Sequence, residues 1–185
     1  AMSETNPVRR IVTIEDEHGK SVACGDGPSP EVKTDPARPG FASRRLWVTD
    51  QTPARIMGIT ETLDTPHTIE PPANGSVCRM VTFPPDADYI NRVGEAEIRT
   101  FFEAMGSPNA SSYSADAPHP YMQATETLDF CIVMEGEITL VLDNGEVDLK
   151  EGDTVVHRSG NHAWSNRSNK PSVIFFSLHD GSYDL

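Results

Sequence analysis

Apolar and polar positions alternate along several short segments of this chain, at the two-residue period of a strand with one buried face. Ile138, Leu140 and Leu142 fall on one side of such a strand, and Glu137 and Thr139 fall on the other. Val147 and Leu149 alternate in the same way with Glu146, Asp148 and Lys150. Residues 130–134 (FCIVM) are continuously apolar and break at Glu135-Gly136. Asp143-Asn144-Gly145 and Glu151-Gly152-Asp153 supply tight-turn chemistry, because Gly and Asn accept positive φ at low cost. Segments 154–157, 161–164 and 173–178 complete the series. Short strands about ten residues apart with a turn between each predict an antiparallel sandwich or barrel. The second half of the chain is therefore all-β.

The first half is less regular. Residues 8–14 are rich in Val and Ile, and Val22-Ala23-Cys24 reads as the returning strand of a hairpin. Residues 25–40 hold Pro28, Pro30, Pro36 and Pro39, which predicts a loop because Pro cannot donate to a ladder. Strands follow at 43–49 and 75–83, the second stopped by Pro84-Pro85. One helix is expected, over 95–105. Ile98, Phe101, Phe102 and Met105 fall at i, i+3, i+4 and i+7 and form one apolar stripe, ended by Gly106 and Pro108. That stripe serves either as core packing or as a lid over a barrel mouth.

Charge narrows the partners. The 185 residues carry 15 Lys plus Arg against 28 Asp plus Glu, a net charge of -13. Binding nucleic acid or anionic lipid needs clustered positive charge, so neither is expected. A small anionic ligand stays compatible with this balance if Arg158, Arg79 or Arg92 lines a mouth locally. No apolar run is long enough to span a membrane, and no leader pattern opens the chain. Cys24, Cys78 and Cys131 are odd in number and widely spaced, which suits reduced thiols and a cytoplasmic setting. Phosphate-cradling glycine loops, nucleophile elbows, Cys-x-x-Cys pairs and His-Glu-x-x-His helices are all missing from the sequence.

The spacing in the C-terminal half has a recognisable pattern. Gly136 follows Asp129 by seven residues, Gly152-Asp153 opens a turn ahead of His162, and Asn166 lies four residues beyond that histidine. Together with Met122-Gln123-Ala124-Thr125-Glu126-Thr127-Leu128-Asp129, this resembles the two signature stretches of the cupin family over roughly residues 68–178. The resemblance implies an all-β jelly-roll barrel (residues 68–185) with an N-terminal strand extension (1–67) and one short helix. It also implies a homodimer, with residues 8–24 at the interface and an otherwise bare strand edge covered.

In metal-binding cupins, two histidines and a carboxylate from the first stretch and one histidine from the second hold a divalent ion. Carried over residue by residue, Gln123 and Thr125 stand at the two histidine positions, Asp129 at the carboxylate and His162 at the last. Asp129 and His162 keep strong ligand chemistry, Gln123 offers an amide oxygen, and His119 is a candidate substitute. The resemblance thus implies Fe, Mn, Ni or Zn held by Gln123, Asp129 and His162. The alternatives are a metal-free lyase or isomerase with His162 and Asp129 as an acid–base pair, or a module that binds a metabolite without chemistry. Asp129 should enter the barrel and needs a partner there: a metal, His162 or Arg158. His119, Thr125, Arg158 and Trp164 are candidate ligand contacts, whereas His157 and Glu126 are expected to face outward.

Overall fold

A computed structural model describes residues 8–184 of the chain. The chain begins with an antiparallel hairpin of β1 (Arg9–Glu15) and β2 (Ser21–Pro28). At its tip, Asp16 Oδ1 accepts the backbone N–H groups of His18 and Lys20 at 2.8 and 2.9 Å. The second strand runs further into the proline-rich stretch than expected. Pro28 is its last residue, where a missing N–H costs the ladder little. A two-residue strand, β3 (Lys33–Thr34), follows within the same stretch.

The remaining strands are β4 (Ala42–Thr49), β5 (Ser76–Phe83), β6 (Thr127–Glu135), β7 (Glu137–Leu142), β8 (Gly145–Lys150), β9 (Thr154–Arg158), β10 (His162–Ser165) and β11 (Ser172–Asp180). They form two antiparallel sheets. One has six strands in the order β3-β4-β5-β11-β6-β9, and the other has three in the order β10-β7-β8. Gln123 bridges His162 on the open edge of the smaller sheet and Ser111 on its other side. The two sheets close into an all-β jelly-roll barrel. Because β3 and β4 continue the larger sheet, the boundary expected at 67/68 divides strands of one layer.

Two glycines are required by their surroundings. Gly136, between β6 and β7, has φ 79°, and a Cβ there would lie 2.9 Å from the Pro171 carbonyl oxygen. Gly106 has φ 76°, and a Cβ would sit 2.0 Å from the His67 carbonyl oxygen. It ends α1 (Glu95–Ala104) where the stripe pattern predicts. Glu97 Oε2 accepts the Gly94 N–H at 3.0 Å and fixes the start of that helix.

Ile98 and Phe102 are buried in the core, while Phe101 and Met105 also line the barrel lumen. The helix is therefore both packing and lumen wall. β7 departs from the one-sided pattern, since Thr139 and Val141 are buried as well as Ile138 and Leu140. Val141 packs with Met122 and Ala163, covered by the irregular segment before Gln123. Thr139 is satisfied by donating to Asp148 at 2.8 Å.

Candidate functional site

Strand parity builds the site. On β6, Thr127, Asp129, Cys131 and Val133 are buried, whereas Leu128, Phe130 and Met134 are exposed on the outer face. Asp129 thus enters the barrel, as its place in the signature spacing implies. Directly opposite it on β9 is His157, which is buried; its neighbours Val156 and Arg158 are exposed. The expectation that His157 faces outward is overturned. Across the barrel, Gln123 and His162 are direct partners through two backbone bonds of 2.8 and 3.0 Å.

Hydrogen bonds run from Thr125 to Asp129, and the His157 and His162 rings lie beyond without a hydrogen bond to that chain. Thr125 Oγ1 lies 2.8 Å from Thr127 Oγ1, which donates to Asp129 Oδ1 at 2.7 Å. Asp129 Oδ2 is 3.4 Å from His157 Nδ1, and the His157 and His162 ring centroids are 4.0 Å apart. His162 Nδ1 lies 2.9 Å from the Gly160 carbonyl oxygen, so this nitrogen carries the hydrogen and Nε2 keeps its lone pair. Burial, and secondarily the neighbouring His157, push the His162 pKa down to about 4. His162 is accordingly a neutral imidazole with one open acceptor at neutral pH.

Gln123, Thr125, Asp129, His162 and Trp164 all line one cavity of about 80 Å³ in the barrel. Phe41, Phe83, Phe101, Tyr121 and Phe176 make its apolar wall, and Arg79 and Ser43 enter from β5 and β4. Trp164 stands edge-on to Phe176 at 5.3 Å and to His162 at 6.2 Å. Of the three arginines considered for a mouth, only Arg79 reaches the lumen, since Arg92 and Arg158 are exposed. Arg158 lies on the outer side of β9 and is not a lumen contact. Glu126 is exposed as expected.

His119 is not in the lumen either. Its Nδ1 accepts the Tyr121 backbone N–H at 3.1 Å, leaving Nε2 to donate to Asp86 Oδ2 at 3.1 Å. Asp86 also accepts from Tyr89 at 2.8 Å and from Ser165 and the Asn166 backbone. Burial alone would raise the Asp86 pKa, but the His119 and Ser165 bonds outweigh it and hold the carboxyl low. The Asp86 carboxylate thus ties the loop after β5 to His119 and, through Ser165, to β10, a packing role that explains why His119 cannot replace a missing ligand.

The donor set does not fit a firmly held divalent metal. Asp129 and His162 are two strong donors, Gln123 adds only a half-buried amide, and His157 stands beside them without completing a three-donor group. Asp129 Oδ1 is already engaged by Thr127, and His157 Nδ1 stands 3.4 Å from Oδ2 without a hydrogen bond. Among the described residues, no three His, Cys, Asp or Glu side chains are grouped to hold an ion.

Residues 114–178 match the Cupin domain family. The chain contains a cupin domain. Over 60 residues it is 53% identical to phomopsin biosynthesis cluster protein C' of Diaporthe leptostromiformis, covering 31% of this chain and 32% of that one. Over 125 residues it is 31% identical to the cupin-domain-containing oxidoreductase virC of Hypocrea virens, covering 65% of this chain and 48% of the relative. The cupin match thus spans about a third to a half of the length of these curated relatives. Among solved structures, the Schizosaccharomyces pombe Cnp3 cupin domain aligns over 93% of this chain and 87% of its own, with TM-score 0.44 and 7% identity. A cupin 2 conserved barrel protein from Salinispora arenicola aligns over 86% and 91%, with TM-score 0.43 and 14% identity. No helix among the described residues is long and apolar enough to cross a membrane.

Proposed function

We propose that this cupin barrel acts on a small organic metabolite by proton transfer at Asp129, His157 and His162, without a metal. The observation that carries this reading is the position of His157, in contact with the Asp129 carboxylate on one side and the His162 ring on the other. The His157 ring, 4.0 Å away, adds to burial in disfavouring a positive charge on His162. His162 Nε2 takes a proton from the bound molecule, and the resulting charge faces Asp129 across the lumen. The same proton returns to another atom of the substrate, which describes an isomerase or lyase and needs no oxidant or reductant. Relatives named as biosynthesis cluster proteins support small-molecule metabolism as the setting. We also propose a cytoplasmic location, in keeping with the free Cys24, Cys78 and Cys131.

The test begins with molecules released when the purified protein is unfolded, identified by mass spectrometry. Returned to the folded protein in deuterium oxide, the released ligand should gain deuterium at an acidic C–H position. The His162→Gln variant should bind it and lose the exchange. Binding by the parent with no exchange would replace this reading with metabolite capture alone. A tightly bound metal in the parent, at about one per chain, would restore the metal-dependent reading.

A further inference from the structure

Arg79 lines the lumen with 4% of its surface exposed. Its Nη2 donates to the Thr68 and Ile69 carbonyl oxygens at 3.1 and 2.7 Å, and its Nε has no hydrogen-bond partner. A buried guanidinium donor left unpaired is costly. The other arginines around the lumen are paired. Arg45 donates to both Glu31 carboxylate oxygens at 2.6 and 2.7 Å, and Arg38 donates to Asp35 at 2.8 Å. Asp129 Oδ1 accepts from Thr127 at 2.7 Å. Among the described residues, no carboxylate lies within 4.0 Å of Arg79. Arg45 stands directly opposite it in the β4–β5 ladder and adds a like charge. Burial, then Arg45, bring the Arg79 pKa to about 10, so it stays protonated at neutral pH.

A second orphan lies on the neighbouring strand, two positions further along the ladder. Ser43 shares the inward parity of Arg45 on β4, pairs with Val81 and lines the same lumen. Its buried Oγ also has no partner. Two unpartnered polar groups on adjacent strands therefore border one cavity whose other wall is aromatic. Each lacks what an oxygen acceptor of a bound anion would supply.

We infer that the lumen takes a small carboxylic acid, its carboxylate against Arg79 and Ser43 and its apolar body against Phe83, Trp164 and Phe176. This assignment rests on the lumen being the ligand site. A single negative charge matches the one lumen cation that lacks a contacting carboxylate. A carboxylate in the dry lumen accepts charge-assisted bonds from both groups, which neutral ligands of the same shape do not.

The experiment compares benzoate with its neutral isostere benzamide, read by Trp164 fluorescence in a Trp47→Phe background. Benzoate should bind at least about tenfold more tightly than benzamide, because only the anion answers the buried guanidinium. Ser43→Ala should weaken benzoate several-fold and leave benzamide unchanged, with the melting temperature confirming the fold. Arg79→Lys, which keeps the charge and loses the fork, should also weaken benzoate selectively. Equal affinity for the two probes would overturn the carboxylate assignment while leaving the lumen as the ligand site. Silence of Trp164 to both probes would overturn the lumen reading and the carboxylate assignment with it.

Discussion

Acidification below neutral should destabilise this protein well before its carboxylates protonate, and His162 is the main reason. Burial lowers the pKa of His162 from 6.5 in the unfolded chain to about 4 in the fold. Below 6.5 the unfolded chain binds a proton that the folded chain refuses, so stability is full above that pH and declines as pH falls toward 4. The full difference of 2.5 units corresponds to about 3 kcal/mol. Between pH 7 and pH 5, linkage gives a loss of about 2 kcal/mol from this residue alone. His67 adds a loss of the same sign, since burial chiefly, and Arg79 and Arg45 secondarily, lower its pKa to about 4. Against a total stability of about 5–15 kcal/mol, these losses are large. Urea unfolding at pH 7, 6 and 5 measures them, and His162→Gln isolates one residue because Gln does not titrate. The difference between pH 7 and pH 5 should shrink by about 2 kcal/mol in the variant. Parallel pH profiles for parent and variant would show that His162 is not held neutral, and the open Nε2 acceptor would have to be abandoned.

Gln123→His should raise affinity for Mn(II), Ni(II) or Zn(II), because the added imidazole stands beside His162 and faces the Asp129 lumen; calorimetric titration of chelated parent and variant decides, and equal, negligible binding in both would refute it. His119→Ala should cost about 1–3 kcal/mol, because the buried Asp86 Oδ2 and the Tyr121 N–H each lose a hydrogen-bond partner while the Tyr89, Ser165 and Asn166 bonds to Asp86 remain. Urea unfolding checks this, and benzoate binding by the surviving folded fraction should be unchanged. Gly106→Ala should destabilise by more than about 1 kcal/mol, since both the positive φ and the His67 carbonyl oppose a Cβ; thermal unfolding reads it, and a neutral result would contradict the close approach. We also propose a homodimer through β1 and β2, to be seen in sedimentation as twice the 20.3 kDa chain mass. A single-chain mass at high concentration would refute it.

Much of the barrel is written in local pattern. The turn residues Gly136 and Gly152 bound β6 and β9, but residues 130–134 are continuously apolar, so the inward turn of Asp129 is carried by its place in the signature spacing and not by alternation. The i, i+3, i+4, i+7 stripe identifies α1 for the same kind of local reason. Parity on β9 is different. Val155 and Val156 are both apolar, so alternation leaves open whether His157 or Arg158 turns inward, and only pairing with β6 places His157 opposite Asp129. His119 is likewise committed by Asp86, 33 residues earlier in the chain, to a buried hydrogen bond that no spacing announces. Arg79 and Ser43 sit on ordinary strands and become unpaired lumen groups only when the two sheets close around them. Local sequence sets the period of each element and the chemistry each residue can offer. Which groups are desolvated together, and which are left without partners, is decided by contacts between strands far apart in the chain.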